Sequence, residues 1–295
     1  MCLKGYVILV LAVIASADIA SAGQLTTDRL PNTSSGADSA IVVSSERIRE
    51  TAEAFVNQVQ NPEQESDEPL ARFTDAVCVG AAGLPVGAAQ AVVDRVTEVA
   101  LSVGLRTGGS GCYPNIMVVF TDDPKEAMRT LRRNRSGAVN GQTRAAIARI
   151  IDEPGSARSW IEVETRSRDG EKLQLAPNQP AILNISSQSR LVSPLRRDIV
   201  SATVLIERSA IGNRSLRQIA DYAAVRALSG ARGHSGLEAS SILSTFTPEG
   251  DDQAPAEMTS FDRGYLHGLY AGTGNILPRM KKHQIARYIV EELGR

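Results

Sequence analysis

Histidine and cysteine are both scarce in this chain, and their scarcity narrows the chemistry open to it. Of 295 residues, three are His and three are Cys. The His residues stand at 234, 267 and 283, and no two of them are one helical turn apart. The HExxH pattern of zinc proteases is absent. We therefore predict no metal site and no cofactor.

Other patterns that carry catalysis or phosphate binding are also missing. The sequence has no GxSxG, no SxxK, no P-loop and no GxGxxG. The nearest approach to GxSxG, Gly108–Cys112, ends in Cys. Gly272–Asn275 follows a predicted helix and is typical of a helix C-terminus. We therefore predict no catalytic residues.

The charge is balanced, with a net value of −1 and no basic stripe, which argues against binding to nucleic acid. The only long apolar run stands at the N-terminus. Lys4, the apolar stretch Tyr6–Ala15 and the small residues Ala20-Ser21-Ala22 form the three parts of a signal peptide. We expect cleavage between Ala22 and Gly23. A membrane anchor would need about 20 apolar residues, and Asp18 interrupts this run.

No second apolar run reaches the length of a membrane span, so we expect no transmembrane segment in the mature chain. The predicted location is the periplasm or the medium. We expect the partner to be a protein or ligand of the cell envelope, which the sequence does not identify.

Two cysteines remain after removal of the signal peptide, which carries Cys2. An oxidising compartment and an even count favour a disulfide between Cys78 and Cys112. On the chain-entropy model this bridge stabilises the fold by roughly 3.8 kcal/mol. The alternative that the sequence leaves open is two buried free thiols.

The chain divides by composition into a signal peptide (1–22), a disordered leader that includes a candidate helix at 45–60 (23–69), and a single α+β domain (70–295). Hydrophobic spacing then predicts alternating strands and helices. Strands are predicted at 72–79, 116–120, 160–165, 172–175, 181–186 and 202–206, and helices at 86–103, 126–134, 142–151, 216–229, 259–270 and 280–293. The run 116–120 is continuously apolar and predicts a central strand buried on both faces. The expected fold is a mixed twisted sheet packed with helices.

Two side-chain groups could take part in a site. Arg263, His267 and Tyr270 share one face of the helix at 259–270, either as a ligand-contacting face or as a solvated face. Asp221 lies one turn after Arg217, either as a catalytic carboxylate or as an ordinary surface ion pair. We favour the structural interpretation for both groups.

The order of elements resembles the core of zincin-type metalloproteases. The stretch Arg226–Gly230 is similar to the end of their zinc helix, Ser241-Ile242-Leu243 to their downstream turn, and 258–270 to their closing segment. The resemblance implies a zincin-like core. It also places Tyr222 and Arg226 where the zinc His residues would stand and Ala223 where the catalytic Glu would stand. Because none of these three side chains can serve as a zinc ligand or as the catalytic base of such an enzyme, the resemblance implies no catalytic or metal-binding residue.

The region from Cys78 onward also resembles an uncharacterised family of exported bacterial proteins. The matching stretches are 77–80, 111–115, 220–223 and 261–265. The resemblance implies no activity. Two hypotheses follow for function: a non-catalytic binding or accessory protein of the envelope, or a hydrolase of unrecognised type.

Overall fold

The structure is a computed structural model that describes residues 35–60, 68–134, 137–139, 141–172, 192–233, 237, 240–248, 250 and 254–295. Backbone contacts divide the chain into two units, with the second beginning at Val43. The signal peptide, its cleavage site at Ala22 and Gly23, and the predicted strand at 181–186 lie outside the described residues.

The second unit is α+β, as predicted, and is built on a four-stranded mixed sheet. Its strands are β1 (Val79–Ala82), β2 (Ile116–Thr121), β3 (Ala157–Ser167) and β4 (Leu195–Glu207). They lie in the order β1-β2-β4-β3. The pairs β1–β2 and β2–β4 are parallel, and β3 runs antiparallel to β4 with a bulge at Glu162/Val163. The run at 116–120 is therefore an inner strand, as predicted.

Seven α-helices are described. They are α1 (Ser35–Val59), α2 (Val86–Ser102), α3 (Pro124–Arg133), α4 (Arg144–Asp152), α5 (Leu216–Ser229), α6 (Ser260–Tyr270) and α7 (Pro278–Leu293). None of the helices in the described ranges combines the length and the apolar character needed to cross a membrane.

The two faces of the sheet bury different cores. Ile116, Val118 and Phe120 of β2 belong to the main core, with residues of α1, α2, α5, α6 and α7. Val119 of the same strand belongs with Leu205 and Trp160 to a smaller cluster under α3 and α4. Because side chains alternate along a strand, this division places helices on both faces.

Three predictions need correction. The first strand begins at Val79, not at Arg72, and residues 72 and 77 form only isolated bridges. The helix predicted at 45–60 starts at Ser35, and its Ala52, Phe55, Val56 and Val59 lie in the main core. β2 is fully buried on one face only, since Met117, Val119 and Thr121 are half-buried.

A disulfide joins Cys78 to Cys112, as predicted. It links the residue before β1 to the loop before β2, across the whole of α2. Asn115 reinforces the same junction without a covalent bond. Its Oδ1 accepts from the Cys78 N–H at 2.7 Å, and its Nδ2 donates to the Ala76 carbonyl at 3.0 Å. These contacts together fix where β1 and β2 start to pair.

α5 has the predicted bounds, and Ser215 accepts from the Gln218 N–H as its N-cap. Ser215 and Gln218 have the spacing of a capping box, but the Gln218 side chain does not complete it and donates to the Pro255 carbonyl instead. Ten consecutive residues of this helix, from Ile219 to Leu228, are buried. The helix is thus surrounded by protein on every side.

Ala223 and Ala224 are fully buried on α5, so we expect Ala223→Leu or Ala224→Leu to overpack the core. The loss in the free energy of unfolding should be about 1–3 kcal/mol, measured by urea denaturation. Ala91→Leu on the exposed face of α2 is the control and should change stability by less than about 0.5 kcal/mol. Equal effects of the core and control substitutions would contradict close packing of α5.

Candidate functional site

A buried ion pair occupies the part of α5 where the zincin resemblance places a zinc ligand. Arg226 is 1% exposed, and its Nη1 and Nη2 donate to the two carboxylate oxygens of Glu153 at 2.7 and 3.1 Å. Its Nε donates to the Ser159 hydroxyl at 2.7 Å. Burial opposes the charged guanidinium, but Glu153 more than offsets this, and the pKa of Arg226 is raised. This fork-shaped pairing holds the cation permanently charged.

Tyr222, one turn earlier, belongs to the same buried group. Its ring packs edge-on against Phe246 with centroids 4.7 Å apart, and the Arg226 guanidinium carbon lies 5.6 Å from the ring centroid. Burial raises the pKa of Tyr222 to about 12. Among the described residues, no three His, Cys, Asp or Glu side chains are placed to hold a metal ion. The chemistry of Tyr222, Ala223 and Arg226 is that of a packed interior.

Asp221 is not a surface carboxylate, which corrects the interpretation favoured from the sequence. It is fully buried, and its Oδ1 lies 2.6 Å from the Arg95 Nε. Its Oδ2 accepts from the Met258 N–H at 2.8 Å. The predicted partner, Arg217, pairs with Glu257 instead. Asp221 therefore joins α5 to α2 and to the segment before α6.

We expect Asp221→Ala to lower the free energy of unfolding by about 1.5–3 kcal/mol, because it removes charge-assisted hydrogen bonds and leaves the Met258 N–H without its acceptor. Urea denaturation measures the loss. Arg217→Ala breaks only the exposed pair with Glu257 and should cost less than about 1 kcal/mol. A loss for Asp221→Ala no larger than that of Arg217→Ala would restore the surface interpretation.

Arg263, His267 and Tyr270 do not form one solvated face. The Tyr270 hydroxyl donates to the Leu228 carbonyl at 2.6 Å and accepts from the Phe73 N–H at 3.3 Å. Burial raises the pKa of this phenol. Arg263 donates to the Met258 carbonyl at 2.6 Å, while His267 is half-buried. The structure thus gives Tyr270 and Arg263 structural partners and does not join the three side chains in one site.

Two cations meet the carbonyl end of α6. Arg72 donates to the carbonyls of Tyr270 and Gly272, each at 2.9 Å. Lys281 is 3% exposed and donates to the Ala271 carbonyl at 2.5 Å. Burial, together with the charge of Arg72, lowers the pKa of Lys281 to about 7.

The lowered pKa of Lys281 gives stability a pH dependence. Between the folded pKa of about 7 and the ordinary value of 10.5, the unfolded chain holds a proton that the folded chain has released. Stability should therefore rise with pH across this window. We expect Lys281→Met to flatten the rise and to be more stable than the wild type at about pH 6, measured by urea denaturation at several pH values. Parallel pH profiles for the two proteins would contradict this assignment.

An apolar groove of about 630 Å³ lies between the sheet and α3. Its floor comes from alternate residues of three strands, namely Met117, Val119, Thr121, Trp160, Thr203 and Leu205. Its wall is the inner side of α3, with Glu126, Ala127, Thr130 and Leu131. Such a volume is within the range of small-molecule sites.

The rim of this groove carries charges that are already paired. Arg133 donates to Glu126 Oε1 at 2.7 Å and to Thr130 Oγ1 at 2.8 Å, and this contact lowers the pKa of Glu126. Asp123 accepts from the Glu126 N–H and caps α3. The groove can therefore hold an apolar group, and the described residues that line it show no arrangement of nucleophile and base.

The groove was not predicted from the sequence, because the run at 116–120 was assigned two buried faces. The signal that could have found it is the sharply amphipathic segment at 124–133, which has too few apolar residues to cover a whole sheet face. No protein-family model, curated protein or solved structure matches this chain.

Proposed function

We propose that this chain is an exported, non-catalytic binding protein of the bacterial cell envelope that holds an apolar partner or ligand in the groove between the sheet and α3. The observation that carries the proposal is that the groove is separate from the buried polar groups whose pKa values are shifted. Tyr222, Arg226 and Asp262 have shifted pKa values, yet none of them lines the groove.

That separation favours binding over catalysis. Active sites gather perturbed ionisable groups in one cleft. Here the buried groups serve packing: Asp262 accepts from the Ile242 and Thr259 N–H groups, each at 2.9 Å, and completes the N-cap of α6. The two carboxylates at the groove, Asp123 and Glu126, are occupied by a helix cap and by Arg133. A hydrolase that uses carboxylates remains the alternative hypothesis, without an observation in its favour.

The groove can be tested with a neutral apolar dye, Nile red. Thr203 is half-buried on the groove floor, so Thr203→Phe should fill the space and abolish dye binding. Thr165→Phe, a half-buried position on β3 that does not line the groove, is the matched control and should bind as the wild type does. Trp160 is the only tryptophan of the chain and lies in the groove, so quenching of its emission reports occupancy. Equal dye binding by both variants would reject the groove as the site.

Export is the second part of the proposal and is tested separately. Its support is the N-terminal pattern that ends at Ala22 together with the disulfide between Cys78 and Cys112, since disulfides persist in oxidising compartments. N-terminal sequencing of the mature protein should begin at Gly23. A cytoplasmic protein that retains Met1 would refute export. We also propose that the chain is related to the exported bacterial family and to the zincin core. The support for this relation is the set of sequence stretches described above.

A further inference from the structure

A second, smaller cavity of about 180 Å³ lies beside β3. It is bounded by Ser159–Ile161 of β3, by Gly141 and Gln142, and by the residues that follow α5, Gly230 and Arg232. The Gln142 side chain donates to the Ile161 carbonyl at 2.8 Å and fixes one wall of the cavity. Gly230 packs closely against the same residue, since a Cβ there would lie 2.7 Å from the Ile161 side chain. These two contacts fix the position of Ile161 at the edge of the cavity.

The charged side chains that the structure describes in the lining of this cavity are positive. They are Arg197 and Arg232, and no described carboxylate lines the cavity. The Arg197 side chain is 18% exposed, and its Nε lies 3.1 Å from the Glu68 carboxylate. Its Nη1 is buried without a hydrogen-bond partner among the described residues. An atom buried so fully is out of reach of a ligand in the cavity, so the preference for an anion comes from the positive charge of the Arg197 guanidinium in the cavity lining.

Ser159 adds a hydroxyl donor at the same place. Its oxygen accepts from Arg226 Nε at 2.7 Å, which leaves its own proton for a ligand oxygen. Ile150, Ile161 and Val163 add apolar surface to a lining that also contains the polar Gln142 and Ser229. The lining therefore combines donors for an anionic group with contacts for a small hydrocarbon body.

We propose that this cavity binds a small organic anion, whose carboxylate or phosphate group pairs with Arg197 and the Ser159 hydroxyl and whose apolar part contacts Ile161 and Val163. Arginine suits both groups, because its planar fork matches two oxygens at once. The site is distinct from the groove proposed above, apart from Trp160, which lines both. Neither proposal depends on the other.

The test is calorimetric titration of the mature protein with butyrate, with inorganic phosphate and with butyramide, the uncharged match of butyrate. We expect at least one of the two anions to bind at millimolar concentration and butyramide not to bind. Binding of butyrate alone identifies a carboxylate ligand, and binding of phosphate identifies a phosphate ligand. Binding of neither anion, or equal binding of butyrate and butyramide, would overturn the proposal.

Two pairs of variants locate the binding. Arg197→Gln should weaken anion binding roughly tenfold or more, the size of a hydrogen bond to a charged group. Arg217→Gln is the control, because Arg217 also pairs through Nε with a glutamate, Glu257, but lies outside the cavity. Glu68→Gln should strengthen binding roughly two- to fivefold, since it frees Arg197 from its exposed partner, whereas Glu257→Gln should not. If Arg197→Gln fails to fold, the Glu68→Gln result decides, and unchanged affinity would refute the role of Arg197.

Discussion

Replacing Arg226 by Met is expected to lower the free energy of unfolding by about 3–5 kcal/mol, the range for a buried ion pair that loses one partner. The pair is almost free of solvent, with Arg226 at 1% and Glu153 at 8% exposure. Removal of the guanidinium leaves the Glu153 carboxylate buried without its two donors and takes away the donor to Ser159. Met keeps much of the side-chain volume, so the loss reports the charge more than the packing. Urea denaturation at neutral pH measures it.

The double variant Glu153→Leu/Arg226→Met is the control for this prediction. Because both charges are removed together, no ion is left unpaired in the interior, and the double variant should be more stable than Arg226→Met alone. The double-mutant cycle then gives the coupling energy of the pair. A loss below about 1 kcal/mol for Arg226→Met would contradict a strong coupling between Arg226 and Glu153.

Loss of the disulfide is expected to cost roughly 3.8 kcal/mol on the chain-entropy model. Cys78 and Cys112 are 34 residues apart, and the bridge closes a loop that contains all of α2. The Cys78→Ala/Cys112→Ala variant should keep the native fold, because Asn115 still ties the Cys78 N–H and the Ala76 carbonyl together. The substitution therefore destabilises the protein mainly by raising the conformational entropy of the unfolded chain.

Urea denaturation of the oxidised wild type and of the double-alanine variant measures this loss. Peptide mapping without reductant should recover Cys78 and Cys112 in one linked fragment. Free alkylation of both thiols in the native protein would contradict the bridge. A variant that gives no folded baseline would show that Asn115 alone does not hold the junction.

The parts of the fold that follow from local patterns were predictable. The spacing of apolar residues predicted the bounds of α5, Leu216–Ser229. It also predicted a helix at 259–270, and α6 begins at Ser260, where Thr259 and Asp262 form a complete capping box. The first strand was predicted at the wrong position, because the actual strand, Val79–Ala82, is short and rich in Gly and Ala. Its strand character comes from pairing with β2 and not from intrinsic preference.

The side-chain partners were not predictable in the same way. Asp221 was matched with Arg217 because the two are neighbours on one helix, whereas its actual partner, Arg95, is 126 positions away in the chain. Glu153 and Arg226 are separated by 73 positions. Neither cavity has a motif, since each is lined by residues from several elements. Such contacts depend on tertiary packing, on which hydrophobic periodicity carries no information.

The pairing of Arg226 with Glu153 also restricts how this protein could evolve. A change of Arg226 to His, the first step toward a metal-binding helix, would leave Glu153 buried with its charge unpaired. A change of Glu153 alone would do the same to Arg226. Each single step loses about 3–5 kcal/mol, a large share of the 5–15 kcal/mol that typically separates folded from unfolded protein. A change made one residue at a time therefore passes through a variant of low stability. This makes the evolution of a metal-binding helix from the present α5 difficult.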